Sequence, residues 1–250
     1  MPPLGLHGPI AIGGVGGSGT RIFAEIAQNL GLYMGDNLNE SSDNMSFPPI
    51  RDLYIQQPRL RLSEKVQRSQ SLIAQFDAGM KTGLMASQVH HWGWKVPTTF
   101  LHLAEFSQYY GDKLHYVHIM RNGLDMAFSK NQNQVTKWGF YFDIDVNILP
   151  LPVASLRYWI AANHYAIRQA EHYLSGRFLL LRFDDLCARP ISTIQTFAKF
   201  CGISSSPDSI QQAACLVKKI PTIGRYQQGD MGQFSPAEIE AVRELGFVIA

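Results

Sequence analysis

The residues best suited to chemistry lie at 13–21, GGVGGSGTR, between an apolar run (Pro9, Ile10, Ala11, Ile12) and a helical apolar pattern (Ile22, Phe23, Ile26, Ala27, Leu30). Glycines let backbone amides approach an anion closely, and the amides that open the following helix carry the positive end of its dipole. Gly16, Gly17, Ser18, Gly19, Thr20 and Arg21 are therefore expected to hold a phosphate. An ATPase loop, GxxxxGK[ST], needs Lys where Thr20 stands, so this phosphate is not expected to be the γ-phosphate of a magnesium nucleotide. A second apolar run, 114–120 (LHYVHIM), delivers Arg121 into an Asn122-Gly123 turn and a short helix, with Ser129 about two helical turns further on, where a hydroxyl can share an anion with Arg121. A third, 178–183, ends in Asp184-Asp185-Leu186, a helix-start signal, with Pro190 in the first turns of the next helical pattern.

Strands are expected near 9–13, 83–88, 115–120 and 178–183. Helices are expected near 22–30, 60–76, 99–109, 153–174, 191–200, 206–217 and 236–245. This alternation predicts an α/β fold with a mostly parallel central sheet flanked by helices. Ligands of such sheets bind beyond the carboxyl ends of the strands, where the glycine loop and Arg121 would converge. Residues 36–58 and 132–152 read as long irregular excursions. The aromatic side chains of the second, Trp138, Phe140, Tyr141 and Phe142, suit the wall of a binding site or a partner surface.

A chain of 250 residues can bury a full core in one domain, and 1–250 is read as one. With 46% hydrophobic and 17% charged residues it is globular, and a net charge of +2 offers no electrostatic case for nucleic acid, so any anion site must be local. The N-terminus, MPPLGLHGPI, has neither a basic nor a long apolar region, and no run approaches the roughly 18 apolar residues of a membrane helix, which predicts a cytoplasmic protein without a membrane span. Cys187, Cys201 and Cys215 have no metal-ligand spacing and predict no disulfide framework. Nothing in the pattern speaks to oligomeric state.

Taken together, these segments resemble the sulfotransferases that use 3′-phosphoadenosine 5′-phosphosulfate (PAPS). GVGGSGTR at 14–21 is similar to that family's 5′-phosphosulfate loop, HYVHIMRNGLDMAFS at 115–129 to its 3′-phosphate motif, LLLRFDDLCARP at 179–190 to its acidic turn, and IGRYQQG at 223–229 to the late loop that closes over the nucleotide. The resemblance implies a P-loop-like fold, PAPS as co-substrate without a metal, and sulfuryl transfer to a hydroxyl or amine of a small-molecule or glycan acceptor. It also implies that Arg121, Ser129 and Arg225 hold the 3′-phosphate.

The loop departs from the family at one position. Many members carry a Lys there that contacts the leaving phosphate, and Gly17 occupies that position here. Arg21, and Lys95 in GWKVP, are the expected catalytic substitutes. The small-molecule branch has a base two residues after that Lys, where this chain has Pro97. His91 is taken as the candidate base, beside His90, His102, Asp36, Glu40 and Asp43. Bland roles compete with several of these assignments. Arg21 can pair with Glu25 at i+4, Asp184 and Asp185 can simply cap a helix, and Trp159 has core spacing with Ala162 and Ala166. Two other functions stand against transfer: a kinase-like P-loop enzyme, and a catalytically silent protein that binds PAPS or its product adenosine 3′,5′-bisphosphate (PAP).

Overall fold

The structure, a computed structural model, describes residues 7–47, 50, 59–218 and 221–249. The expected excursion at 36–58 therefore lies partly outside the described residues, as does the start of the N-terminal segment. The chain runs β1 (His7–Gly14), α1 (Thr20–Asn29), β2 (Leu32–Tyr33), α2 (Leu62–Ser87), β3 (His91–Lys95), α3 (Leu103–Tyr110) and β4 (His115–Met120). It continues through α4 (Gly123–Ala127), α5 (Asn133–Trp138), α6 (Leu151–Leu174), β5 (Phe178–Arg182), α7 (Phe183–Ala188), α8 (Pro190–Phe200), α9 (Pro207–Ala214) and α10 (Pro236–Glu244). The strands form one sheet in the order β2-β3-β1-β4-β5 with every neighbouring pair parallel, as the alternating pattern predicts.

Burial on both faces explains why the strands read as continuous apolar runs. Ile10 and Ile12 of β1, with Val117 and Ile119 of β4, pack on α1, α7, α8 and α9. Ala11, Trp94 and Tyr116 point the other way, into a core shared with α2, α3, α4 and α6. Trp159 is 1% exposed within that core, as its spacing implied. The direction of winding changes between β1 and β4: the connection leaving β1 runs to β2 on the far side of β3, whereas the one leaving β4 runs the other way to β5. Such a switch point opens a crevice beyond the carboxyl ends of the two central strands.

One expected strand is absent. Residues 83–87 belong to α2 and Gln88 caps it; the helix runs unbroken to Ser87 because Val66, Ile73, Phe76, Met80 and Leu84 keep helical spacing and are all buried. The local apolar run there was compatible with either element, and the sheet contact went instead to His91–Lys95. The second expected excursion also holds α5 and a 3-10 turn, Gly139–Phe142. No helix among the described residues is long and apolar enough to cross a membrane.

A polar chain crosses the core beneath β4. Asn163 Nδ2 donates to Trp159 O at 2.7 Å, which turns its Oδ1 to His118 Nε2 at 2.8 Å, while Tyr116 Oη lies 2.7 Å from His118 Nδ1. The consistent arrangement is a neutral ring that donates from Nε2 and accepts from Tyr116 at Nδ1. Burial, only partly offset by Asn163, lowers the His118 pKa from 6.5 to about 4. The unfolded chain therefore binds a proton that the folded protein refuses between those values. Stability is expected to be full above pH 6.5 and to decline by about 3 kcal/mol in all as pH falls through that window towards 4. Thermal unfolding followed from pH 7 to 4 checks this: His118→Gln should flatten the decline, and an unchanged slope in that variant would assign it to other groups.

Candidate functional site

The glycine loop takes its shape from backbone and packing requirements. Gly17 and Gly19 have φ of +94° and +92°, in the region that disfavours side chains, and Gly19 is the residue before α1. A Cβ on Gly19 would run into the Phe183 ring, and one on Gly16 into the Gln134 amide. The loop is thus gripped between α7 and α5. Ser18 is fully buried, and its hydroxyl donates towards Val15 O at 2.5 Å and Ile119 O at 2.9 Å. Its amide also donates to Val15 O, at 3.0 Å. Ser18 therefore ties the loop to the end of β4, and the groups left for an anion are the amides at the start of α1, which lack intrahelical acceptors, with the Thr20 hydroxyl.

Arg121 leaves the carboxyl end of β4 and is only 9% exposed. Its Nη2 donates to Thr222 O at 2.9 Å and Thr222 Oγ1 at 2.6 Å, its guanidinium carbon sits 5.3 Å from the Phe183 ring centre, and its buried Nε has no partner. Burial lowers its pKa, against the opposing pull of Asp125. Asn122 caps α4 through Leu124 N at 2.9 Å. Asp125, 1% exposed, accepts from Gly224 N at 2.9 Å and Tyr226 N at 3.2 Å. This carboxylate fastens the late loop to α4 and brings Arg225 against the end of that helix, where its Nη1 lies 3.5 Å from Phe128 O. Ser129, half-buried, follows directly, its hydroxyl accepting from Asn131 N at 3.3 Å. The structure thus gathers Arg121, Ser129 and Arg225 on one side of the crevice.

A cavity of about 730 Å³ joins Arg121 to the glycine loop, with Gly16, Gly17, Gly19, Thr20, Arg21 and Arg121 in its wall; Ser129 and Arg225 stand outside that wall. Lys95 reaches it from the end of β3. The Lys95 ammonium, 1% exposed as a residue, donates to Asp43 Oδ1 and Ser41 O, both at 2.6 Å, and Asn44 N donates back to Lys95 O at 2.9 Å. Burial lowers its pKa while Asp43 pulls it back up. Arg21 is turned outward, its side chain 61% exposed with Nε 3.3 Å from Glu25 Oε1, the i+4 pair read from the sequence.

The histidines do not join them. His91 opens β3, so the rise of the strand puts it about 13 Å from Lys95, at the amino end of the sheet beside Gly202. It is too distant to act as a base in this crevice, which corrects the expectation. His102 is buried against Phe47 and His90 is exposed on the loop before β3. Of the acidic candidates, Asp36 accepts from Tyr33 Oη at 2.8 Å and Glu40 is exposed; only Asp43 lines the cavity. Asp184 and Asp185 lie inside the first turn of α7 rather than before it. Asp184 accepts from Asn122 N at 3.3 Å and Asp185 holds Arg182 and Arg189. Sequence reasoning missed Thr222, Asp125, Phe183 and the α5 residues Gln134 and Lys137. Only Asp125 left a signal, as an acid in the short helix after the Arg121 turn.

The model of the sulfotransferase family matches residues 9–207, from β1 through the start of α9. The chain belongs to the sulfotransferase family. The sulfotransferase domain from the curacin biosynthetic pathway covers 98% of this chain and 100% of its own at 13% identity with a TM-score of 0.64. The sulfotransferase domain of the Synechococcus PCC 7002 olefin synthase covers 100% and 98% at 13% identity and 0.58. Sulfotransferase STF1 from Mycobacterium tuberculosis H37Rv covers 96% and 76% at 13% identity and 0.51. At these identities the likeness is one of fold. Comparison with curated protein sequences gives no match. Thr222 and Arg225 lie beyond the matched residues, so in this sulfotransferase their place in the site rests on the contacts to Arg121 and Asp125.

The contrast between the two expected cations yields a prediction. Lys95→Met removes two charge-assisted bonds from a buried ammonium and frees the 41–44 loop, so it should cost about 2 kcal/mol in thermal unfolding. Arg21→Ala, which removes an exposed pair, should cost no more than about 0.5 kcal/mol. Equal costs would show that the Lys95 contacts do not organise the site.

Proposed function

We propose that this sulfotransferase takes its sulfuryl group from PAPS and passes it to a hydroxyl or amine of a small-molecule or glycan acceptor. The observation that carries this reading is the buried Arg121 guanidinium, with its unpartnered Nε, in the wall of the same cavity as the glycine loop. A desolvated cation with a free donor suits an anion, and two separated anion-binding groups suit a nucleotide with phosphates at both ends. The start of α1 and Thr20 would hold the 5′-phosphosulfate; Arg121, Ser129 and Arg225 would hold the 3′-phosphate. Thr20, standing where a nucleotide triphosphatase has its lysine, argues against the kinase-like reading.

A second cavity, about 500 Å³, suits the acceptor. It shares Asp43, Pro97, Gln134 and Lys137 with the first and is walled by Val96 and Trp138. Asp43 is the carboxylate common to both, which makes it the proposed base: it takes the proton of the acceptor hydroxyl or amine as that atom bonds to sulfur. PAPS supplies the activated sulfuryl group, and the electron pair of the broken S–O bond leaves with PAP. The remaining protein task is positioning and charge neutralisation, the part of catalysis that a preorganised crevice supplies.

Calorimetry tests the donor. PAP should bind far more tightly than adenosine 5′-phosphate, and Arg121→Ala should weaken PAP by roughly ten- to a hundredfold while adenosine 5′-phosphate changes little. Equal affinities for the two nucleotides would refute the reading. Tight PAP binding with no transfer from labelled PAPS to any of a panel of alcohols, phenols, amines and glycans would favour a silent binding protein.

A further inference from the structure

Gly17 leaves the glycine loop without a cation, and the two substitutes visible in the sequence are already engaged, Lys95 by Asp43 and Ser41 O and Arg21 by Glu25. Among the described residues, a Cβ on Gly17 would touch only Met126 Cε, at 3.7 Å. Among the described residues in the wall of the main cavity, Lys137 and Lys218 are the lysines with no ion pair or hydrogen bond, and of these only Lys137 also lines the second cavity. Lys137 stands on α5, whose Gln134 packs directly on Gly16. Residues three apart on a helix are surface neighbours, with about 5–6 Å between their Cβ atoms, so Lys137 rises beside the loop on the face that Gln134 presses against it. Its long flexible stem carries an ammonium with three donors, suited to a group of several equivalent oxygens.

We propose that Lys137 is the cation that contacts the sulfuryl oxygens of the donor at the junction of the two cavities, in place of a lysine in the glycine loop. The proposal rests on the PAPS reading above and adds a catalytic residue to it. The acceptor atom forms its bond to sulfur, the S–O bond to the 5′-phosphate breaks, and the electron pair stays on that phosphate oxygen. Lys137 keeps its protons throughout and offsets charge on the group in transit. A bland role competes, because a lysine in the last turn of a helix also complements the helix dipole. That role would not distinguish a nucleotide carrying the sulfuryl group from one without it.

This difference is the test. Calorimetric titration of wild type, Lys137→Ala and Lys137→Arg with PAPS and separately with PAP should show Lys137→Ala weakening PAPS by about tenfold, as for loss of a charge-assisted contact, with PAP within about twofold. Lys137→Arg should retain most of the PAPS affinity. Unchanged PAPS affinity in Lys137→Ala, or an equal loss for PAPS and PAP, overturns the assignment to the sulfuryl group while leaving the nucleotide reading intact. Failure of the wild type to bind either nucleotide overturns both.

Discussion

A permanent positive charge nine-tenths buried at the end of a central strand is the constraint around which the crevice is organised. Removing a guanidinium from water costs several kcal/mol unless its donors and charge are met, and the fold meets them in part, with elements distant in sequence. Thr222 takes Nη2, Phe183 lies against the plane, and Asp125 supplies compensating charge nearby while anchoring the loop that carries Thr222. Each of these contacts has a second consequence. Phe183 also bears on Gly19, so the aromatic ring that shields Arg121 limits the loop that faces it. Asp125 also sets Arg225 against Phe128 and Ser129. The buried Nε, which has no partner, marks a place where a ligand can supply one.

Two other cations in the cavity wall, Arg21 and Lys95, are already paired. Lys95 is spent on holding the 41–44 segment against β3, a local structure that in turn places Asp43 on the border of two cavities. Gly17 brings no side chain to this side of the loop. It leaves α5 as the covering element, with Gln134 closing on Gly16 and Lys137 one turn away. A short helix in what reads as an irregular excursion thus lines both cavities, through Gln134 and Lys137.

Much of this was legible because it depends on local rules. Continuous apolar runs marked β1, β4 and β5; a glycine cluster before a helical pattern marked the turn into α1; and Arg121 was placed at the end of a strand. Errors arose where two elements share a local signature or where direction along a strand decides. The run at 83–88 is apolar enough for a strand, but its buried positions continue a helix. His91 sits in the same strand as Lys95, yet the strand's length separates them, and sequence proximity concealed that distance. Ser18 looked like a phosphate donor, whereas its hydroxyl closes the loop onto Ile119.

The sequence by itself determined the class of fold, the glycine loop, the strand-end arginine and the family, since each follows from periodicity, backbone permissiveness or motif order along the chain. Only the tertiary structure decided which cations are free. The Arg21–Glu25 pair follows from i+4 spacing, but pairing across 43–95 and 121–222 depends on which side chains meet, and a residue's charge says nothing of whether a carboxylate or a carbonyl already holds it. For the same reason Lys137 was invisible as a site residue. Its significance comes from the packing of Gln134 on Gly16, a contact across the crevice that no spacing in the chain records.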